Sequence, residues 1–194
     1  RVSAMFLSPL IERRILLGPA RRELPVLKLA TLFQMTSLGA PMILYGDEVG
    51  MWQEGGGLRP MLWGNFIFAD EAHDRHGEAK KAEPVAADMR LAAYFRSLIQ
   101  LHTSHEALSV GTMTTVFKDD TRKLYGFVRA AGKDRLLVVL NMGDREEQVS
   151  IELSKLAASR VSKEVIERNG FNIDGGKLEF LLRSMSGNVF ILEP

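Results

Sequence analysis

Leu29-Ala-Thr-Leu-Phe-Gln-Met-Thr-Ser-Leu-Gly-Ala-Pro-Met-Ile-Leu-Tyr-Gly-Asp-Glu-Val-Gly-Met51 is the stretch on which the fold of the first half of the chain turns. Its opening residues continue a helix that starts near Glu23. Pro25 falls in the first turn, where a missing N–H is harmless, apolar residues cover most faces, and Gly39 ends the helix. Met42–Tyr45 is a short apolar run suited to a buried strand, and Val2–Leu7 is a similar run upstream. Strand, helix and strand thus follow one another at βαβ spacing.

Downstream, the segment from Gly46 to about Pro84 is rich in glycine, charge and histidine. A loop this long in a compact domain is functional or disordered. Residues 69–83, with charge and small side chains but no apolar period, are expected to be mobile. Asp88 is predicted to cap a second helix running to about Ser104, with Leu91, Phe95, Leu98 and His102 on one stripe. His102 reads as a packed residue of that stripe rather than a catalytic one.

From about Leu108 the period changes to two. Thr112–Lys118, Arg122–Arg129, Arg135–Asn141, Gln148–Leu153, Lys177–Leu182 and Asn188–Leu192 are short apolar or alternating runs, most of them separated by polar turns. This is the pattern of an antiparallel sandwich. The expectation is an α/β piece over 1–107 followed by an all-β sandwich over 108–194. Two parallel strands alone leave open edges and an uncovered apolar face. Further structure upstream or self-association is expected to cover them, with Phe6, Ile43 and Leu44 in the interface.

Composition narrows the function classes. Lys and Arg number 25 against 24 Asp and Glu, a net charge of +1. That balance gives no electrostatic case for nucleic acid or a membrane surface. No apolar run approaches the ~20 residues of a membrane helix. The chain has no cysteine, so disulfides, thiol catalysis and thiolate metal sites are excluded. The same absence fits a reducing, cytoplasmic compartment, and it also fits many exported bacterial proteins. Met5–Leu10 is too soon interrupted by Glu12, Arg13 and Arg14 to be a signal-peptide core, and Arg1 reads as an internal cut in a longer protein.

Gly39-Ala40-Pro41 followed by Tyr45-Gly46-Asp47-Glu48 resembles the Gly-x-Pro…Gly-x-Glu pattern at the last barrel strand of α-amylase superfamily glycoside hydrolases. The nearest flavour is neopullulanase, cyclomaltodextrinase and the maltogenic amylases. Arg59-Pro60-Met61-Leu62-Trp63 is similar to the Arg-x-Pro-Met-x-Trp neighbourhood that follows, one residue shorter. The helix from Asp88 with His105-Glu106-Ala107-Leu108 resembles the last barrel helix and its exit. Leu136-Leu-Val-Val-Leu-Asn141 resembles a central strand of the C-terminal sandwich.

The resemblance implies the last two βα units of a TIM-type (β/α)8 barrel plus the C-terminal sandwich. It implies a parent enzyme that cleaves α-glucan or maltooligosaccharide with retention, through a carboxylate nucleophile and a separate acid/base. In the family both come from earlier strands that this chain lacks, so no catalytic residue is assigned here, and the chain alone is expected to be inactive. A third family carboxylate, beside a histidine, aligns with Phe6-Leu7-Ser8-Pro9-Leu10-Ile11-Glu12-Arg13-Arg14. Leu10 stands in the histidine position and Ile11 in the aspartate position, and neither can donate, accept or carry charge. Glu12 lies one residue off. These two positions favour the alternative reading, a non-catalytic carbohydrate-binding or assembly module on the family scaffold.

Arg59 is a candidate sugar contact, with an ordinary loop arginine as the alternative. Trp52 and Trp63 are candidates for stacking on sugar rings or for packing on the barrel rim. Asp47 and Glu48, as neighbours, point opposite ways and suit one acid/base site poorly. The resemblance gives Glu48 a structural role, paired with a basic residue, and places Gly46, Asp47 and Glu48 beside the cleft. His73, Asp74, His76 and Glu78 are metal-ligand types, but with no matching ligands elsewhere they read as a solvated loop. No metal or cofactor is expected. Gly55-Gly56-Gly57 lacks the Lys-Ser/Thr of a phosphate loop.

Overall fold

The structure, a computed structural model, describes residues 4–6, 24–51, 60–73, 78–167 and 169–193. Strand β1 (Ala4–Phe6) pairs in parallel with β2 (Ala40–Met42), Ala4 opposite Ala40. Helix α1 (Leu24–Thr36) joins them, and Gly39 makes the exit at φ 101°. A single turn of 3-10 helix, Asp47–Val49, follows β2.

The strand expected at Met42–Tyr45 lies two residues earlier. The apolar run leaves the ladder at Met42, because Ile43 turns inward to pack among the buried side chains of both long helices. Ile43 is thus partly buried within the chain. Leu44 is half-buried, and the side chain of Phe6 lies outside the described residues.

The segment expected to be mobile carries a short antiparallel hairpin, β3 (Glu71–His73) with β4 (Ala79–Glu83), which the apolar pattern does not show. Backbone pairing can form a ladder without the apolar period that sequence patterning detects. Helix α2 (Met89–Ser104) runs as expected. The Asp88 carboxylate accepts from the N–H groups of Arg90 and Leu91 at 3.0 and 2.9 Å, satisfying donors that the first turn leaves open. A one-turn helix, α3 (Glu106–Ser109), leads into the sandwich. Among the described residues no helix is long and apolar enough to cross a membrane.

Among the described residues, eight strands make two antiparallel sheets. One has five strands in the order β5 (Thr112–Asp119), β6 (Leu124–Ala131), β7 (Asp134–Asn141), β12 (Ser186–Glu193), β9 (Arg160–Glu164). The other has three, β10 (Phe171–Asp174), β11 (Lys177–Leu182), β8 (Glu147–Glu152). The six runs read from sequence all occur as strands, with ends shifted by up to two residues. β9 and β10 were not foreseen. β9, Arg-Val-Ser-Lys-Glu, has one apolar residue, so its strand state comes from pairing with β12.

The central strands of the five-stranded sheet, β6, β7 and β12, are buried on both faces. Val128, Leu137, Val139 and Phe190 pack against Val149, Ile151, Leu178 and Phe180 of the smaller sheet. Their sequence neighbours Phe127, Leu136, Val138 and Val189 pack against Leu29, Leu32 and Met35 of α1 and Leu98 and Leu101 of α2. A strand side chain alternates between faces, and here each face meets apolar cover. That is why Leu136–Leu140 is apolar at every position instead of every second one.

Candidate functional site

The corner at Gly46–Glu48 is built by the end of α1. The Gln34 side-chain amide donates to Met42 O at 2.7 Å, tying the helix to the strand it feeds. Past Met42 the chain folds back. Asp47 N–H donates to Leu44 O at 3.0 Å, and Met51 N–H donates to Gly46 O at 2.9 Å. Gly46 stands at φ 95°, a region that costs a side chain dearly and glycine little. The Glu48 carboxylate turns back to accept the Gly46 N–H at 3.0 Å. It thereby closes its own turn, a structural use of the carboxylate. Asp47 is buried. On the far side, Asp88 N–H donates to Val49 O at 3.0 Å, which joins the corner to the cap of α2.

Among the described residues Trp63 is 58% exposed. It sits in a hydrogen-bonded turn in which Phe66 N–H donates to Trp63 O. Trp52, Arg59, Leu10, Ile11 and Glu12 lie outside the described residues, as do Asp74 and His76. His73 and Glu78 are exposed, and the described residues hold no group of three or more His, Asp or Glu placed for a metal. His102 Nδ1 donates to Met35 O at 2.8 Å, a tie between α2 and α1 that fits its reading as a packed residue.

Sequence reasoning passed over Arg129. It is a lone charge inside Leu124-Tyr-Gly-Phe-Val-Arg129 and is 1% exposed. Its guanidinium donates to Thr36 O (2.8 Å) and Ser37 O at the end of α1. It also donates to Leu108 O and Gly111 O (both 3.1 Å) around the end of α3, and to Thr112 O (3.1 Å). Burial lowers its pKa. The carbonyls it meets include the negative ends of two helices, which favour a cation there. A charged residue at a core-facing position of an otherwise apolar strand was the available signal.

Residues 113–187 match the family described as Maltogenic Amylase, C-terminal domain. The chain is 27% identical over 164 residues to neopullulanase 2 of Thermoactinomyces vulgaris, which covers 84% of the chain and 25% of the relative. It is 31% identical over 115 residues to a cyclomaltodextrinase of a Bacillus species, covering 59% of the chain and 18% of the relative. The chain thus spans a quarter or less of the length of these relatives. Among solved structures, an Anoxybacillus α-amylase superposes with a TM-score of 0.65 at 18% identity, covering 89% of the chain and 33% of that protein. AmyP in complex with maltose gives 0.66 at 18% identity, covering 90% and 36%. At these identities the structural likeness concerns the fold.

Proposed function

We propose that this chain, whose residues 113–187 match the maltogenic-amylase C-terminal domain and which is similar to neopullulanase and cyclomaltodextrinase, is the C-terminal part of an α-amylase-family retaining glycoside hydrolase acting on α-glucans or maltooligosaccharides. The observation that carries the reading is the Gly39–Glu48 motif on a parallel strand end, followed by a helix and then the sandwich. In this reading residues 1–107 end the barrel and 108–194 form the C-terminal domain. Gly46, Asp47 and Glu48 hold the barrel corner beside the cleft. Arg59 and Trp52 contact sugar, the arginine by hydrogen bonds to hydroxyls and the indole by stacking. The nucleophile and acid/base belong to residues outside this chain. The chain alone turns nothing over, since without a nucleophile the covalent route is closed.

The test compares residues 1–194 with the product of the complete reading frame on soluble starch, cyclodextrin and maltoheptaose. Hydrolysis with retained anomeric configuration by the longer protein only is the expected result. Turnover by residues 1–194 alone would sink the reading.

Leu10 and Ile11, in place of the family's His-Asp, favour a second reading: a protein that binds glucan without cleaving it. An intact reading frame that binds maltoheptaose but leaves it whole would establish that alternative.

A further inference from the structure

We propose that Arg129 is a positioning residue: from within the sandwich, its guanidinium fixes the end of α1 and, through it, the setting of the Gly46–Glu48 corner. The catalytic meaning of that corner rests on the function proposed above; the mechanical claim does not.

The last carbonyls of a helix have no partner in the helix. At the end of α1 they are buried, for Thr36 and Ser37 are almost wholly inaccessible. Unpaired carbonyls there would carry the full cost of desolvation. Arg129 supplies the donors. Nη1 reaches both Thr36 O and Ser37 O, Nη2 reaches Leu108 O and Gly111 O, and Nε reaches Thr112 O. A guanidinium is planar and presents its donors in a fixed fork. Five bonds to three backbone segments therefore define one relative placement of α1, the end of α3 and β5.

The placement is passed on over a short path. Only Leu38 and Gly39 separate Ser37 from β2. Gln34, one turn back, holds Met42 O, so the helix end and the strand move together. Four residues past Met42 the chain enters Gly46, whose turn is closed by Glu48 and Met51. The corner is thus referred to residue 129 of the sandwich as well as to its own barrel neighbours.

Amide exchange by NMR on residues 1–194 reads this directly. In Arg129→Lys an ammonium with three donors replaces five, and Lys also lacks the fork. The amides of Gly46, Asp47, Val49 and Met51 are expected to exchange about tenfold faster, with those of Phe127, Val138 and Val189 within about twofold of wild type. The Gly46 N–H resonance should shift while those of Gly132 and Gly176 stay in place. Gln34→Leu, which removes the bond to Met42 O and keeps Arg129, should loosen the same corner amides. Unchanged corner amides in Arg129→Lys, or a loss spread evenly through the sandwich, would overturn the proposal.

Should Arg129→Lys not fold, wild-type exchange in sub-denaturing urea decides. Ser37 and the corner amides opening in one step supports the proposal, and separate steps refute it. None of these readouts involves glucan, so failure of the hydrolysis assay leaves this result standing, and the reverse also holds.

Discussion

The Asn188 amide donates to the Glu164 carboxylate between adjacent strands β12 and β9, and both side chains are buried. Each then reaches into the loop that follows β9. Asn188 Oδ1 accepts from the N–H groups of Ile166 and Glu167, and Glu164 accepts from those of Asn169 and Gly170 at 3.1 and 2.8 Å. A buried carboxylate is tolerated here because every contact is a donor. Asn188→Leu strands the loop amides and removes a donor from Glu164. It should cost about 2–3 kcal/mol in urea unfolding. Measured against Glu164→Gln in a double-mutant cycle, the two changes should be far from additive; additive losses would mean that the pair does not act as a unit.

Tyr94 makes folding sensitive to alkali. Its hydroxyl donates to Lys28 O at 3.0 Å. Burial, with the negative charge of Glu167 adding to it, raises the phenol above its ordinary value near 10.0. The folded pKa is the higher, so between the two values the unfolded chain has released a proton that the folded chain keeps. The stability that Tyr94 contributes is whole below about pH 10 and falls as pH rises beyond it. Tyr94→Phe should be less stable than wild type at pH 7 by about 1 kcal/mol for the lost bond. The gap should close in urea melts taken from pH 9 to 11.5. A gap that stays constant over that range would contradict the assignment.

Periodic patterns were the most legible part of the sequence. The stripe Leu91–Phe95–Leu98 fixed α2, and Asp88 marked its start. Apolar runs bounded by turns marked six of the eight sandwich strands. β9 escaped because Val161 is its one apolar residue. The Glu71–Glu83 hairpin escaped because it is paired through its backbone. The corner was legible as a motif, yet the partner of Glu48 was not, since a carboxylate folded onto Gly46 N–H two residues back leaves no spacing to detect. Arg129 was visible as a charge and illegible as a function. Its five acceptors come from residues 36, 37, 108, 111 and 112, and carbonyls carry no side-chain signature.

Leu137 and Val138 test the double burial of β7. Both are fully buried, Leu137 toward the smaller sheet and Val138 toward the helices. A sandwich with one wet face would make only one of them matter. Leu137→Ala should cost about 2–5 kcal/mol, and Val138→Ala should also be clearly destabilising, at about 1–3 kcal/mol. Proteolysis should separate them further: Val138→Ala should expose sites in α1 and α2 first, because it empties the space that those helices fill. Equal susceptibility of sheet and helices in both variants would count against two separable cores.

Gly46→Ala tests the corner itself. A Cβ built there would lie 2.8 Å from Met51 Cβ and 2.8 Å from Met51 Sδ, and the backbone stands at φ +95°. The sulfur can swing away, but the Met51 Cβ is fixed to a backbone that Gly46 O holds through the Met51 N–H. Two penalties therefore combine. The conformational one is about 1–2 kcal/mol for a side chain in a left-handed region, and the steric one depends on how far Met51 can retreat. Met51→Ala removes the sulfur and leaves Cβ in place, so the double variant should recover part of the steric loss and none of the conformational loss. Thermal unfolding of the four proteins, with Gly50→Ala as a control at a positive φ of 72° where the nearest atom is 3.7 Å away, separates the terms. If Gly46→Ala costs no more than Gly50→Ala, the close approach of Met51 is not what demands glycine at the corner, and φ alone accounts for it.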